Sequence, residues 1–191
     1  LNFFISKGSL AKDLEDIAFN ENYGSSEKGK GKTIVIDYSS PNVAKPFHIG
    51  HLGTTVIGHS LKLLHEFAGY ECIGINHLGD WGTQFGKMIV AFRKWGNKEE
   101  VESSGIDGLV ALYVKFHAEE ENEPSLRDEA RAAFARIEAG SEEELNLWRW
   151  FHEISLAEFN RVYEKLGVKF DYFTGESFYN DKMDAVVEEL R

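Results

Sequence analysis

The chain has 191 residues, 42% hydrophobic and 13% aromatic, which is enough for one good core or a core with an appendage and too apolar for disorder. Its formal net charge of −11 is the wrong sign for a general nucleic-acid-binding surface, so any RNA contact must be local or lie elsewhere. No run approaches the ~18 apolar residues of a membrane span, no secretory leader shows, and Cys72 alone cannot form an internal disulfide; a cytoplasmic protein with no membrane partner is expected.

The first residues, Leu1-Asn2-Phe3-Phe4-Ile5, lack an initiator methionine and read as the cut edge of a longer protein. Ser9 reads as an N-cap for a short amphipathic helix carrying Leu10, Leu14 and Ile17. Gly24 to Lys32 is a Gly/Ser/Lys loop. It approaches the phosphate-loop pattern at Gly24 and Gly29-Lys30, but Gly31 stands where Ser or Thr is needed, and the loop precedes a strand rather than following one; it reads as a linker. Thr33 to Tyr38 is a β-branched run of the kind found in buried parallel strands.

The next stretch, Ser39-Ser40-Pro41-Asn42-Val43-Ala44-Lys45-Pro46-Phe47-His48-Ile49-Gly50-His51, organises the chain. Strand, rigid polar loop and helix start form the geometry of a nucleotide-phosphate site, because a helix N-terminus offers unpaired N–H groups and a positive dipole end. Pro41 and Pro46 bracket the loop, Gly50 leaves room for a base or ribose against backbone, and His48 and His51 share one side of the helix. That helix carries Leu52, Val56, Ile57, Leu61, Leu64 and Ala68 and stops at Gly69. A second strand, Cys72 to Leu78, completes a strand–helix–strand crossover unit. A further turn, Gly79 to Gly86, leads into a helix from Lys87 to Trp95. Both loops leave the carboxyl ends of neighbouring strands, where open α/β sheets bind ligands.

The chain then becomes helical and acidic. Ile106, Leu109, Val110, Tyr113 and Phe116 predict one helix face; Pro124-Ser125 caps a second helix with Leu126, Ala130, Ala133, Phe134 and Ile137. Ser141 and Glu144 form a capping box for a third, with Leu145, Trp148, His152, Ser155, Phe159, Val162 and Leu166 along one stripe and Gly167 at its end. Val168, Phe170 and Tyr172 alternate as a strand, Gly175-Glu176-Ser177 turns, and Asp181 caps a last helix. Two clear parallel strands make an incomplete sheet, which again reads as truncation.

Lys45, between prolines and beside the helix start, reads as a phosphate contact. His48 and His51 read as functional; a zinc site is the alternative, with His59, His65 and His77 as further ligands, though none has a familiar spacing. Asp37 is either a solvated edge carboxylate or a ligand for an ammonium or hydroxyl group. His152, Trp148 and Trp150 read as packing, and the Glu119–Glu123 run as a solvated helix end.

Ser40-Pro41-Asn42, Ala44-Lys45 and His48-Ile49-Gly50-His51, followed by His77-Leu78-Gly79-Asp80-Trp81-Gly82-Thr83-Gln84, resemble the catalytic domain of arginyl-tRNA synthetases of class I. The resemblance is clear from Asp37 to about Gly86 and returns at Gly175-Glu176-Ser177. It implies an α/β, Rossmann-like parallel-sheet unit with a helical insertion, truncated. Residues 1–24 would be the tail of an N-terminal appended domain and a linker helix, 25–95 the first half of the catalytic domain, 96–167 the insertion, and 168–191 the return to the sheet. The implied activity is ATP-dependent ligation of L-arginine to tRNA through an arginyl-adenylate, with Mg2+ accompanying ATP and most tRNA contacts outside this chain.

By the same resemblance, His48, His51 and Lys45 would act on the ATP phosphates and Gly50 would lie under the adenine. Asn42 and Ser40 would hold the amino-acid backbone, Asp37 its α-ammonium, and Glu176 the guanidinium. Gly53 stands where the family usually has Arg, and the family's second signature loop, rich in Lys, Met and Ser, is not in these residues. Two rivals share the features: a non-catalytic interaction module that keeps the fold, and a small adenylyltransferase with the two-histidine signature.

Overall fold

The computed structural model describes residues 2–191; Leu1, counted in the expected N-terminal tail, lies outside the described residues. The β-branched run forms β1 (Thr33–Asp37), the apolar helical pattern forms α2 (Ile49–Phe67), and β2 (Glu71–Leu78) returns parallel to β1. The pairing runs from Thr33 opposite Glu71 to Asp37 opposite Ile75. β3 (Tyr172–Gly175) adds in parallel on the other side of β2, so the order is β1-β2-β3. The helix α1 (Lys7–Phe19) precedes this unit. Between β2 and β3 come α3 (Thr83–Trp95), α4 (Lys98–Ser104), α5 (Ile106–Asn122), α6 (Ser125–Glu138) and α7 (Glu142–Leu166). A short 3-10 turn, Glu176–Tyr179, and α8 (Met183–Glu189) follow β3. The α/β class and the parallel strand–helix–strand unit read from the sequence are what form.

The core sits mainly where α3, α5, α6 and α7 meet, with Phe85, Phe116, Phe151 and Phe159 fully buried. Each such side chain contributes about 1.5–3 kcal/mol by leaving water. On α7 the buried line is Phe151, Ser155, Phe159 and Tyr163, so His152 and Val162 of the expected stripe lie at its margin. Two carboxylates of the helical part, on α5 and α7, are buried with this core. Glu144 is 2% exposed and accepts from Arg93 Nη1 at 2.9 Å and Arg136 Nε at 2.7 Å. Burial alone would raise its pKa; the hydrogen bonds from Ser141 and the two guanidiniums outweigh that and hold it at about 2. The expected capping box therefore does not form: Ser141 spends its hydroxyl on the Glu144 carboxylate and gives the helix no side-chain cap. Glu120 corrects a second expectation. It belongs to no solvated run but is 7% exposed, pairing with Lys87 at 3.1 Å and Arg127 at 3.0 Å.

Several boundaries move for local reasons. Ser6, not Ser9, caps α1, and its hydroxyl accepts from the Ser9 N–H at 3.1 Å. Helix α3 opens at Thr83 rather than Lys87, because Gly82 at φ 125° already makes the break. The sequence reading passed over α4, although Asn97 accepts from Glu100 N–H at 3.1 Å and Glu99 and Glu100 occupy its first turn. Val168 and Phe170 lie on the approach to β3, whose first sheet hydrogen bond is Asp171 N–H to the Gly74 carbonyl at 2.9 Å. Asp181 caps nothing; it pairs with Lys182 at 2.7 Å.

Helix α2 packs by its small residues rather than its apolar stripe. Thr55 and Gly58 are its buried positions, and a Cβ at Gly58 would run into the Tyr38 ring, so glycine sets how closely α2 lies on β1. Val56, Ile57, Leu61 and Leu64 stay exposed instead. Gly53 has open space around its Cβ position within this helix. Gly53→Ala therefore stabilises the chain by about 0.5–1 kcal/mol, because alanine loses less backbone entropy than glycine on entering a helix. Urea unfolding checks this, and a midpoint at or below that of the parent chain refutes it.

Candidate functional site

The loop from Tyr38 to His48 is held in a conformation that few sequences adopt unaided. Ser39, Ser40 and Ala44 have φ of 76°, 50° and 61°, left-handed values at residues with side chains. Each costs of order 1 kcal/mol and persists only where the surroundings over-determine it. Here each one has a buried partner. Ser39 Oγ lies 2.7 Å from Tyr163 OH and 2.7 Å from Thr55 Oγ1. Ser40 N–H donates to Asn76 Oδ1 at 3.1 Å, and Ala44 N–H donates to Ser155 Oγ at 2.9 Å. The loop then runs beside the second one: Gly79 N–H donates to the Pro41 carbonyl at 3.1 Å and Val43 N–H to the Gly79 carbonyl at 3.0 Å. The two loops expected at neighbouring strand ends are thus joined backbone to backbone.

At the end of this loop His48 is the N-cap of α2 and His51 its third residue. Their rings stack with centroids 3.7 Å apart and planes 22° apart. Gly50 N–H donates to His48 Nδ1 at 3.1 Å, and His48 N–H donates to His51 Nδ1 at 3.3 Å, a capping box made by two imidazoles. A neutral imidazole that accepts at Nδ1 carries its proton on Nε2, so each ring keeps an Nε2–H donor that the cap bonds do not use. Burial first, and then the neighbouring His48, push the His51 pKa below the usual histidine value, which favours that neutral form. The helix start consequently presents imidazole N–H groups in place of two of its backbone donors. The space over Gly50 is taken as well: a Cβ there would lie 2.9 Å from His48 Cε1, so the glycine makes room for that ring.

The remaining expected residues divide into two groups. Asp37 at the end of β1 is exposed and accepts from Ser40 Oγ at 3.0 Å. Asn42 is half-buried at the junction of the loops, and Lys45 is exposed with no ion-pair partner among the described residues. Glu176 lies apart from this group. Gly175 pairs with Leu78 while Asp37 pairs with Ile75, so Glu176 sits two strands across, about 10 Å, and further along the strands. Its Oε2 accepts from Trp81 N–H at 3.2 Å, which fixes it over the Gly79–Gly86 turn.

Asp80 anchors that second group. At 3% exposure it accepts from Ser177 N–H at 2.9 Å and Ser177 Oγ at 2.6 Å, with Trp148 Nε1 donating to its carbonyl at 2.7 Å. His152 Nε2 lies 3.8 Å from the same carboxylate; burial lowers the His152 pKa against the opposing pull of Asp80. The sequence reading gave no role to Asp80, Asn76, Thr55 or Tyr163. The one signal available was a buried-strand pattern interrupted by Asn76 and an acid within a glycine turn. Among the described residues no group of three His, Cys, Asp or Glu converges as a metal site, and no helix is long and apolar enough to cross a membrane.

Comparison with known proteins adds to this geometry. Across its whole length the chain is 56% identical to the arginine–tRNA ligase of Alkaliphilus metalliredigens and 58% identical to that of Clostridium botulinum, and it spans 34% of the length of each. The crystal structure of arginyl-tRNA synthetase from Plasmodium falciparum superposes with a TM-score of 0.67 at 28% identity, covering 90% of this chain and 28% of that one. Thermus thermophilus arginyl-tRNA synthetase superposes at 0.68 with 21% identity, over 92% of this chain and 28% of that one, a likeness of fold. The family model described as the catalytic domain of class I tRNA synthetases (R) matches residues 13–191, and the chain belongs to that family.

Proposed function

We propose that this chain is part of an arginine–tRNA ligase that activates L-arginine with ATP and transfers it to tRNA. The observation that carries the reading is whole-chain identity of 56–58% to proteins named arginine–tRNA ligase. In the reaction the arginine carboxylate attacks the α-phosphate and pyrophosphate leaves; a ribose hydroxyl at the tRNA 3′ end then takes the aminoacyl group from the adenylate, and AMP leaves. His48 and His51 donate Nε2–H to the phosphate oxygens as charge builds in the transition state, and Lys45 neutralises them. Gly50 serves the nucleotide indirectly, by making room for the His48 ring in the same helix turn. Ser40 and Asn42 hold the arginine backbone, Asp37 its α-ammonium, and Glu176 its guanidinium. Mg2+ would accompany ATP on its phosphates. Residues 25–95 and 168–191 supply the nucleotide-binding sheet, 96–167 are the helical insertion, and 1–24 are the tail of an N-terminal appended domain and a linker helix. The setting is the cytoplasm.

The test is ATP–pyrophosphate exchange by the full-length protein that contains this chain. Exchange that requires both arginine and tRNA is expected, while the 191-residue chain alone stays at background because the second signature loop lies outside it. Full-length protein without arginine-dependent exchange overturns the reading.

A further inference from the structure

The three left-handed residues of the signature loop are held in large part from one helix that lies far away in sequence. Ser155, Phe159 and Tyr163 follow one another at four-residue spacing on α7, so they share a face. All three meet the loop. Ser155 Oγ accepts from Ala44 N–H at 2.9 Å and itself donates to the Phe151 carbonyl at 2.8 Å. The Phe47 ring, just before His48, lies 6.3 Å from Phe159 and 5.9 Å from Tyr163, centroid to centroid, and 5.4 Å from His51.

Tyr163 OH is within 2.9 Å of Asn76 Nδ2 and 2.7 Å of Ser39 Oγ; Ser39 Oγ is 2.7 Å from Thr55 Oγ1, which is 2.6 Å from the His51 carbonyl. Asn76 Nδ2 can only donate and the His51 carbonyl can only accept. Asn76 Nδ2 donates to Tyr163 OH, Thr55 Oγ1 is the donor toward both Ser39 Oγ and the His51 carbonyl, and either hydroxyl can donate between Ser39 and Tyr163, so the four side chains form one connected chain from β2 to the start of α2. Ser39, Thr55, Asn76 and Tyr163 are all at most 5% exposed, so a break in this chain leaves a buried polar group without water to replace its partner.

The geometry points to Tyr163 and Ser155 as positioning residues for the activation step: α7 holds the strained loop, Lys45 and the two histidines in the arrangement that meets the phosphates. This rests on the proposed function, and it extends the reacting assembly to a helix that carries none of the signature residues. Ser155 acts through the Ala44 backbone and Tyr163 through the Ser39 hydroxyl.

Kinetics of the full-length protein test it, using Tyr163→Phe, Ser155→Ala, Ser39→Ala and the Tyr163→Phe/Ser39→Ala pair. Each of the first two is expected to lower kcat of arginine-dependent exchange about tenfold while the KM values for ATP and arginine stay within about threefold, the pattern of lost transition-state alignment. Because Tyr163 and Ser39 are successive links of one chain, the pair should cost far less than the product of the two single effects. A lowered melting temperature with kcat unchanged means structural support only and overturns the proposal. So does a loss confined to KM, or full additivity of the pair. Should Tyr163→Phe fail to fold, Ser155→Ala makes the same demand at the Ala44 N–H. Wild-type protein without arginine-dependent exchange overturns the functional reading and this one with it. Active wild type with unaltered variants overturns the positioning role alone.

Discussion

Alanine at His48 or His51 in the full-length protein lowers kcat of arginine activation roughly ten- to a thousandfold, with a much smaller change in ATP KM. The expectation comes from where the two rings spend their nitrogens. Nδ1 of each is engaged at the start of α2, which leaves the Nε2–H donors for phosphate oxygens whose charge peaks in the transition state. Capping makes the alanine variants ambiguous by themselves, because loss of an N-cap costs about 1 kcal/mol of stability. His48→Asn separates the two roles. Its side-chain oxygen still caps α2, so melting stays near wild type, while the Nε2–H donor is gone and kcat still falls. The activity should also decline on the acid side. His51 titrates below the usual histidine value, and a proton added at Nδ1 ends its acceptance from His48 N–H. An unchanged kcat in His48→Asn and in both alanine variants removes the histidines from the chemistry.

Glu176→Gln raises the arginine KM roughly ten- to a hundredfold and leaves ATP binding nearly untouched. The glutamine oxygen can still accept from Trp81 N–H, so the turn keeps its place and the charge alone is lost. A charge-assisted pair to a guanidinium is worth about 1.5–3 kcal/mol, which sets the size of the effect. Asp37→Asn likewise keeps the hydrogen bond from Ser40 Oγ and removes a charge. One strand, β2, lies between the two carboxylates, and arginine, the proposed substrate, brings two separate cationic groups for them to meet. Analogues that keep the α-ammonium and lack the guanidinium tell them apart: Asp37→Asn weakens their binding and Glu176→Gln does not. Equal effects of both substitutions on such analogues refute this division of labour.

Wherever one local rule acted alone, the sequence determined the outcome. Thr33 to Asp37 is β-branched and became β1, the apolar period from Leu52 onward became α2, and Gly69, at φ 88°, stops that helix and Gly167, at φ 67°, ends α7. Parallel pairing of β1 and β2 followed, because a strand–helix–strand run of this length admits little else. The Pro-bracketed loop and its two histidines were likewise legible, since their spacing alone puts them at a helix start. Roles that depend on a distant partner were not. Ser141 looked like a cap and Glu120 like a solvated acid until Arg93, Arg136, Lys87 and Arg127 converged on the two carboxylates. The apolar residues of α2 have helical spacing, yet Gly58 is what lies on Tyr38 while Ile57 and Leu64 are exposed. Above all, the strained backbone at Ser39 and Ala44 is held by Tyr163 and Ser155, 124 and 111 residues further along the chain. No periodicity or propensity encodes such a pairing: a hydroxyl's partner is set by where folding brings the backbone, and the desolvation cost of leaving it unpaired exists only once both are buried.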